Sequence, residues 1–589
     1  MSDSSRFGKF AALGTAGVLA LAVLAAPGGV SAAPKSTHFK ASGPDFTSGD
    51  EADELRTPLE YELAAGEARI GPTALSLFSR CRQITDNQVG TFAPIAAPEA
   101  DAIVGDTEFG FADGTHCFNP QNESNILVNP SNRLNVVTSA NEYRIDAHAV
   151  YYSNDGGATW TNVVLPGWTS STGGKGVFAR LGSFGDPVLA FSPDGSRLYY
   201  SGLVGAGGHG GNNGLSGVAV AVSTDGGAHW GPPRMVSFAA SNNVFQDKEW
   251  LAVAPDGTVY LTWTRFFADA RHGYRESPIV LSKSTDGGKT WSDWVKVSDA
   301  SHPFDQGSNP AVGPDGTLYV AYEGATPGSG YSQDALIVAR STDGGATFTN
   351  TEVARVYDDL DCYPIQLPGG QGRQTLSYEQ FRINSFPNIA LDRTVGTTGK
   401  IAIVWADNRN HPSCGHGGTT FDPTSGPTQN QVFLVTSTDG VTWSAPQQVT
   451  ADLYDKVYPS IAADGGRIAI GYYTRAYSPV PTGPADLACG RMALDSTSGK
   501  AVPFPPGSSP LEPVCLDYAA RVSDDAFATE TRLSAQSSNP YLLFAGSFIG
   551  DYTGMALDST GKAVAVWTDD RGNPGTTAPN QDVVVHYGF

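Results

Sequence analysis

The chain's apolar residues fall into short runs, continuous or alternating, separated by polar turns. Val218 to Val222, Ile279 to Leu281, Ala335 to Ala339 and Val432 to Val435 each lead into versions of one phrase. It reads SNDGGATW from Ser153, STDGGAHW from Ser223, STDGGKTW from Ser284, STDGGATF from Ser341 and, one glycine shorter, STDGVTW from Ser437. Runs of this length and period predict strands, and the phrase between two of them predicts a hairpin turn. Ser and Asp side chains can bond the turn's own amides, glycine supplies positive φ, and the closing aromatic packs back between sheets. The phrase is therefore read as a structural staple.

A second phrase, an apolar strand ending in a turn, recurs seven times. It is clear in Ile126 to Pro130, Pro187 to Gly195, Leu251 to Gly257 and Pro310 to Gly316, and weaker in Pro387 to Asp392, Pro459 to Gly465 and Met555 to Gly561. Each copy with its next strand, and in five cases with the hairpin phrase, makes a four-stranded antiparallel unit. The fold class predicted is all-β, a seven-bladed β-propeller, with six blades as the alternative count. The last unit stops after a third strand, so a strand from residues 82 to 120, for example within Gln88 to Ile95, is expected to close the ring. The sixth unit lacks the hairpin phrase and carries a Pro-rich insertion, Ser478 to Leu516.

At the five turn phrases the chain resembles the Asp-box (BNR repeat) proteins, whose best-known members are sialidases and other secreted glycoside-active propellers. The resemblance implies a secreted, bacterial-type sialidase-like propeller. It also implies that Asp155, Asp225, Asp286, Asp343 and Asp439 lie on the face opposite the active site. The early Arg-Ile-Pro element of sialidases has one near match, Phe381-Arg382-Ile383-Asn384, which lacks the proline and follows the fourth turn phrase.

Composition narrows the partners. A formal net charge of -22 disfavours nucleic acid and anionic membrane surfaces. Arg6 and Lys9, the apolar stretch Phe10 to Ala26 and the small residues through Ala33 have the layout of a secretory signal peptide. The domains expected are a signal peptide at 1–33, a partly helical N-terminal extension or pro-region at 34–81 and the propeller at 82–589. After signal cleavage the protein is expected to be an extracellular monomer with no membrane association. Six cysteines in an exported chain suggest disulfides. Neighbour logic favours Cys81 with Cys117, Cys362 with Cys414 and Cys489 with Cys515 among the possible pairings. No cofactor is expected to be required; calcium is an option in acidic loops such as Asp358-Asp359-Asp361, without EF-hand spacing.

In a blade of this order, inner-strand starts and second-strand ends share the face opposite the turn phrases. Aligning copies on the turn glycine sets Asp247 against Asp551, with Lys248, Glu249 and Tyr552 beside them. Blade two adds Asp186, blade four Asp305 and Gln306, and blade six Asp455, Lys456 and Tyr458. Second-strand ends supply Arg265, Arg409, Arg475 and Arg571, a guanidinium set suited to a sugar carboxylate, or else paired with aspartates in their own loops. Glycoside hydrolysis needs two groups flanking the bond. The catalytic candidates are Asp247, Glu249, Asp407, Asp551 and Tyr552, the last because the resemblance implies a tyrosine nucleophile. Lys248, Tyr458 and the four arginines are the substrate-binding candidates. The leading expectation is a glycoside hydrolase acting on a glycan, possibly one with an acidic sugar. The alternatives are a non-catalytic carbohydrate- or protein-binding propeller, and a polysaccharide lyase using histidines such as His209, His411 or His416.

Overall fold

The computed structural model describes residues 99–103, 120–143, 147–206, 215–241, 243–269, 273–329, 333–359, 361–364, 374–377, 379, 381–415, 421–478, 492–494, 501–503, 515–540, 548–570 and 581–589. The signal peptide, the N-terminal extension, Gln88 to Ile95, Cys81, Cys117, Cys489, His209, His416 and Arg571 lie outside them.

Seven antiparallel sheets form the ring, each built on a path of four strands, with blade 3 carrying a fifth, Gly273–Glu276, paired with Val259–Asp269. The inner strands are Gln121–Asn129, Gly182–Phe191, Val244–Val253, Asp305–Val312, Asn388–Asp392, Lys456–Asp464 and Gly554–Leu557, so all seven repeats of the second phrase become inner strands. Blade 7 takes its outermost strand from far upstream: Glu99–Asp101 pairs antiparallel with Asp582–Tyr587. The ring is thus closed by a segment preceding the first blade. In the sixth-blade insertion, Met492–Leu494 and Ala501–Pro503 form a separate hairpin. Among the described residues, no helix is long and apolar enough to cross a membrane.

The inner strands of each blade bury both faces over most of their length, because each blade packs against two neighbours, while outermost strands such as Val295–Lys296 and Gln447–Gln448 are exposed. The buried apolar residues accordingly fall into seven clusters, one per interface between adjacent blades. Trp263, Trp405 and Trp567 take equivalent places on the second strands of blades 3, 5 and 7 and are fully buried. Burying an indole removes about 150–250 Å² from water, and its N–H then needs an acceptor. In two blades an aspartate two residues on supplies it, with Trp405 Nε1 donating to Asp407 at 2.8 Å and Trp567 Nε1 to Asp569 at 3.2 Å.

The five turn phrases share one geometry. The serine Oγ accepts the amide of a turn glycine at 2.9–3.0 Å in every copy, Gly157, Gly227, Gly288, Gly345 and Gly440. It also donates to the aspartate at 2.7–3.1 Å. Gly288 shows why glycine is required, since it sits at φ +83 and a Cβ there would lie 3.0 Å from Val222 of blade 2. Cys362 and Cys414 are disulfide-bonded, as the pairing logic expected. Cys515 is also in a disulfide.

Candidate functional site

The inner strands begin irregularly, and in one repeated way. In blades 1, 2, 3, 4 and 6 the pairing with the second strand slips, at Asn122/Asn125, Gly185/Val188, Asp247/Trp250, Gln306/Asn309 and Val457/Ser460. Each slip is a β-bulge. In each, the first inserted residue is left-handed: Glu123 at φ 57, Asp186 at 53, Lys248 at 49, Gly307 at 64 and Tyr458 at 51. A non-glycine residue in this region costs about 1–2 kcal/mol, so four blades hold strained backbone at equivalent positions.

The strained side chains converge. Lys248 Nζ lies 2.6 Å from Asp551 Oδ2 and 3.4 Å from both Glu123 Oε1 and Asp186 Oδ2. Arg382 closes the cluster from the irregular lead-in to blade 5, its Nε donating to Asp551 Oδ1 at 2.7 Å while Nη2 engages Oδ2. The Asn384 amide donates to the Asp551 carbonyl at 3.1 Å, and the Tyr458 hydroxyl donates to the Arg382 carbonyl. Glu123, Asp186, Lys248, Arg382 and Asp551 are each buried. Burial alone would push the Asp551 carboxyl up, but Arg382 and Lys248 overcome it and hold it well below the usual range. Glu123 goes the other way, raised by burial and by Asp186.

Beside this cluster opens a cleft. Trp250, Tyr552, Phe386, Pro387 and Pro459 give it apolar walls, and Asp186, Lys248, Glu249 and Asp551 line it as well. Trp250 and Tyr552 meet edge to face at 5.4 Å. Glu249 is 1 % exposed, and neither carboxyl oxygen has a hydrogen-bond partner; the Ser201 hydroxyl approaches without closing a bond. Burial, and then the charge of Asp186, raise its pKa well above the ordinary carboxyl value. The Tyr552 hydroxyl donates to the Pro187 carbonyl at 3.2 Å, and burial with the nearby Glu123 and Asp186 pushes that phenol up too.

Of the residues singled out in the sequence, Asp186, Lys248, Glu249, Tyr458, Asp551 and Tyr552 line this one cleft. Asp247 does not: it precedes the bulge and is buried in the blade 3 sheet opposite Thr264. Asp551 differs because the blade 7 inner strand starts only at Gly554, leaving Asp551 in the lead-in. Asp407 and Arg409 pair with each other within one loop at 2.6 Å, with Asp407 also held by the Trp405 indole. Arg265 is taken up by Gln246 and Ser237 at 2.8 and 3.2 Å, and Arg475 by Asp455 and the Ser377 carbonyl. The described arginines at second-strand ends therefore do not gather at one mouth, because each finds acceptors close to its own strand end. His411 is buried rather than exposed, bonded to Ser413 at 2.7 Å and stacked on Phe421.

Glu123, Trp250, Phe386 and the cleft role of Arg382 were not read from the sequence. A signal for Glu123 exists: the bulge residue stands three positions before an apolar core residue of its strand, as in Glu123/Ile126, Asp186/Leu189, Lys248/Leu251 and Tyr458/Ile461.

The chain is thus a seven-bladed propeller with a buried ion cluster at its inner-strand starts. No protein-family model and no curated protein matches it. Among solved structures, it is similar to a GH93 α-L-arabinofuranosidase of Fusarium graminearum in complex with arabinobiose, at 15% identity over 60% of this chain and 90% of that one, TM-score 0.38. It is also similar to an intramolecular trans-sialidase from Ruminococcus gnavus, at 12% identity over 67% and 93%, TM-score 0.35, and to a Hadza microbial sialidase, at 13% over 78% and 74%, TM-score 0.37. At these values the likeness carries no inference about chemistry, which has to come from the residues themselves.

Proposed function

We propose that the protein is an exported glycoside hydrolase whose reaction takes place in the cleft beside Lys248. The observation that carries this reading is Glu249, a buried carboxyl without a hydrogen-bond partner in a cleft with aromatic walls, whose protonated form burial favours. A carboxyl favoured in its protonated form by its surroundings can act as a general acid, and of the two shifted carboxyls lining the cleft Glu249 is the one raised, Asp551 the one lowered. In this reading Glu249 gives its proton to the glycosidic oxygen as the C–O bond breaks. Asp186, 3.4 Å from Lys248, stabilises the positive charge developing on the sugar. Water then adds to the anomeric carbon and returns a proton to Glu249. Trp250, Tyr552 and Phe386 hold the sugar ring, and Asp551 fixes Lys248 beside Asp186.

Both described cations at the cluster, Lys248 and Arg382, are already paired with Asp551. An uncharged sugar therefore suits the cleft better than an acidic one, whose carboxylate would find no uncommitted cation among the described residues there.

The purified protein should be screened on neutral and acidic glycans, following reducing ends and ultraviolet absorbance together. New reducing ends without absorbance, reduced about 10²–10⁴-fold in kcat by Glu249→Gln, are the expected result. Unsaturated, absorbing ends would make it a lyase. Glycan binding without turnover, unaffected by Glu249→Gln, would make it a binding propeller.

A further inference from the structure

Blades 4 and 5 meet through an apolar core in which Tyr319, Ala321 and Val356 face Ile389, Ile403 and Trp405. At the end of that core the same face of blade 4 turns acidic. Glu323 follows Ala321 by two positions, and Asp334 stands opposite both Ala325 and Val356 in the register. Asp358 comes two residues after Val356. Strand alternation puts all three acids on one side, and a carboxylate oxygen from each lies within 4.8 Å of the other two.

An acidic cluster alone is not a site. Here a fourth group points to a ligand. Gln306 stands directly opposite Glu323, so its side chain leaves the same face about 5 Å away. It is 2 % exposed, and neither its amide oxygen nor its amide nitrogen has a hydrogen-bond partner. An uncharged carbonyl oxygen beside three carboxylates is the ligand mixture calcium takes, at about 2.3–2.6 Å per oxygen. The oxygens of a coordination sphere of that radius lie no more than about 5 Å apart, which the measured spread satisfies. The neighbouring trio Asp359, Asp361 and Cys362 is a poorer site, because the Cys362 sulfur is bonded to Cys414.

We propose that Glu323, Asp334, Asp358 and the Gln306 carbonyl bind a calcium ion at the junction of blades 4 and 5. Asp358 opens the loop that reaches Cys362, which is joined to Cys414 in the loop after the second strand of blade 5. The ion would therefore pin that loop to the sheet of blade 4 and stiffen the seam between the two blades.

The test uses the full chain stripped with chelator and titrated with calcium chloride, by calorimetry and by thermal melting. One saturable site and a rise in Tm are expected. Glu323→Gln should weaken the calcium Kd at least tenfold. Gln306→Met, which keeps the shape and volume but removes the carbonyl, should weaken it several-fold in a protein that still folds. Absence of both heat and Tm change in the stripped protein would overturn the proposal, as would an unchanged Kd in the two variants. An equal Tm rise with magnesium chloride at the same concentration would overturn the choice of calcium.

Discussion

The two ends of a blade are both built from repeats, but they repeat different things. At the turn end the side chains recur: Ser, Asp and Gly make the same bonds in five blades. At the other end only the backbone recurs, a left-handed bulge occupied in turn by Glu123, Asp186, Lys248, Gly307 and Tyr458. The reason lies in what each end must satisfy. A turn closes its own amides, so local chemistry dictates its residues, and its aspartates sit among donors: the Thr442 and Val441 amides bring Asp439 down to about 2. A bulge only aims a side chain at the axis, where each blade contributes once to a shared cluster. Strain repeated without repetition of the residue is a mark of a site rather than of a scaffold.

The largest test of that contrast is Asp551→Ala. It leaves Lys248 and Arg382 buried with their main counter-charge gone, and breaking a buried pair costs about 3–5 kcal/mol. Urea unfolding of the variant should show a loss of that order. Asp286→Ala, at an exposed turn, should fall far short of it. Equal losses would mean that the axial cluster is no more coupled than a surface turn.

Gly307 offers a second test because it is the one bulge residue without a side chain. A Cβ there would lie 2.4 Å from Phe386 Cγ, whereas at Gly257, also left-handed at φ +87, it would meet nothing within 4 Å. Gly257→Ala should therefore cost only the conformational penalty, about 1–2 kcal/mol. Gly307→Ala should add about 1–3 kcal/mol for displacing the ring. It should also raise KM on any glycan turned over, since Phe386 lines the cleft. Equal stability losses, with KM unmoved, would separate the bulge from the cleft.

Ser284→Ala probes the turn end. The buried hydroxyl accepts the Gly288 amide at 2.9 Å and donates to Asp286 at 2.9 Å. Leaving that amide without a partner costs about 1–3 kcal/mol. Denaturation should report the loss while kcat and KM stay at wild-type values. A change in either would tie the turn face to the site.

This division explains what the sequence disclosed. Seven inner phrases and five turn phrases announced the blades, because turns and strand cores draw on a small menu of residues. Closure by an upstream strand followed from the missing fourth strand of the last unit, and the segment that closes it, Glu99–Asp101, lies within the 82–120 stretch expected to supply it. The site was only half legible. Aligning on the turn glycine brought out Lys248, Glu249, Asp551 and Tyr552, but it equated Asp247 with Asp551, which the bulge separates. Glu123 was missed because the blade 1 copy, Ile126 to Pro130, carries no turn glycine on which to align it. Arg382 was visible as a phrase but unplaced, since it arrives on an irregular lead-in that no periodicity describes. Arg409 misled because Trp-x-Asp with a following arginine looks functional, when its aspartate answers a buried indole.

The most direct test of mechanism concerns Glu249. Its folded pKa is raised by burial and by Asp186, so the folded state holds that proton more tightly than the unfolded chain, in which glutamate titrates near about 4.3. A raised group contributes fully below the unfolded pKa and loses that contribution as pH rises toward the folded value. Glu249→Gln keeps the uncharged form at every pH. The variant should melt close to wild type near pH 4 and progressively above it as pH rises beyond the unfolded value of about 4.3, while turnover stays low throughout. The turn aspartates, common to both proteins, cancel from the difference. A Tm difference that does not change with pH would mean that Glu249 is ionised in the folded state, and the proton donor would then have to be sought elsewhere along the cleft.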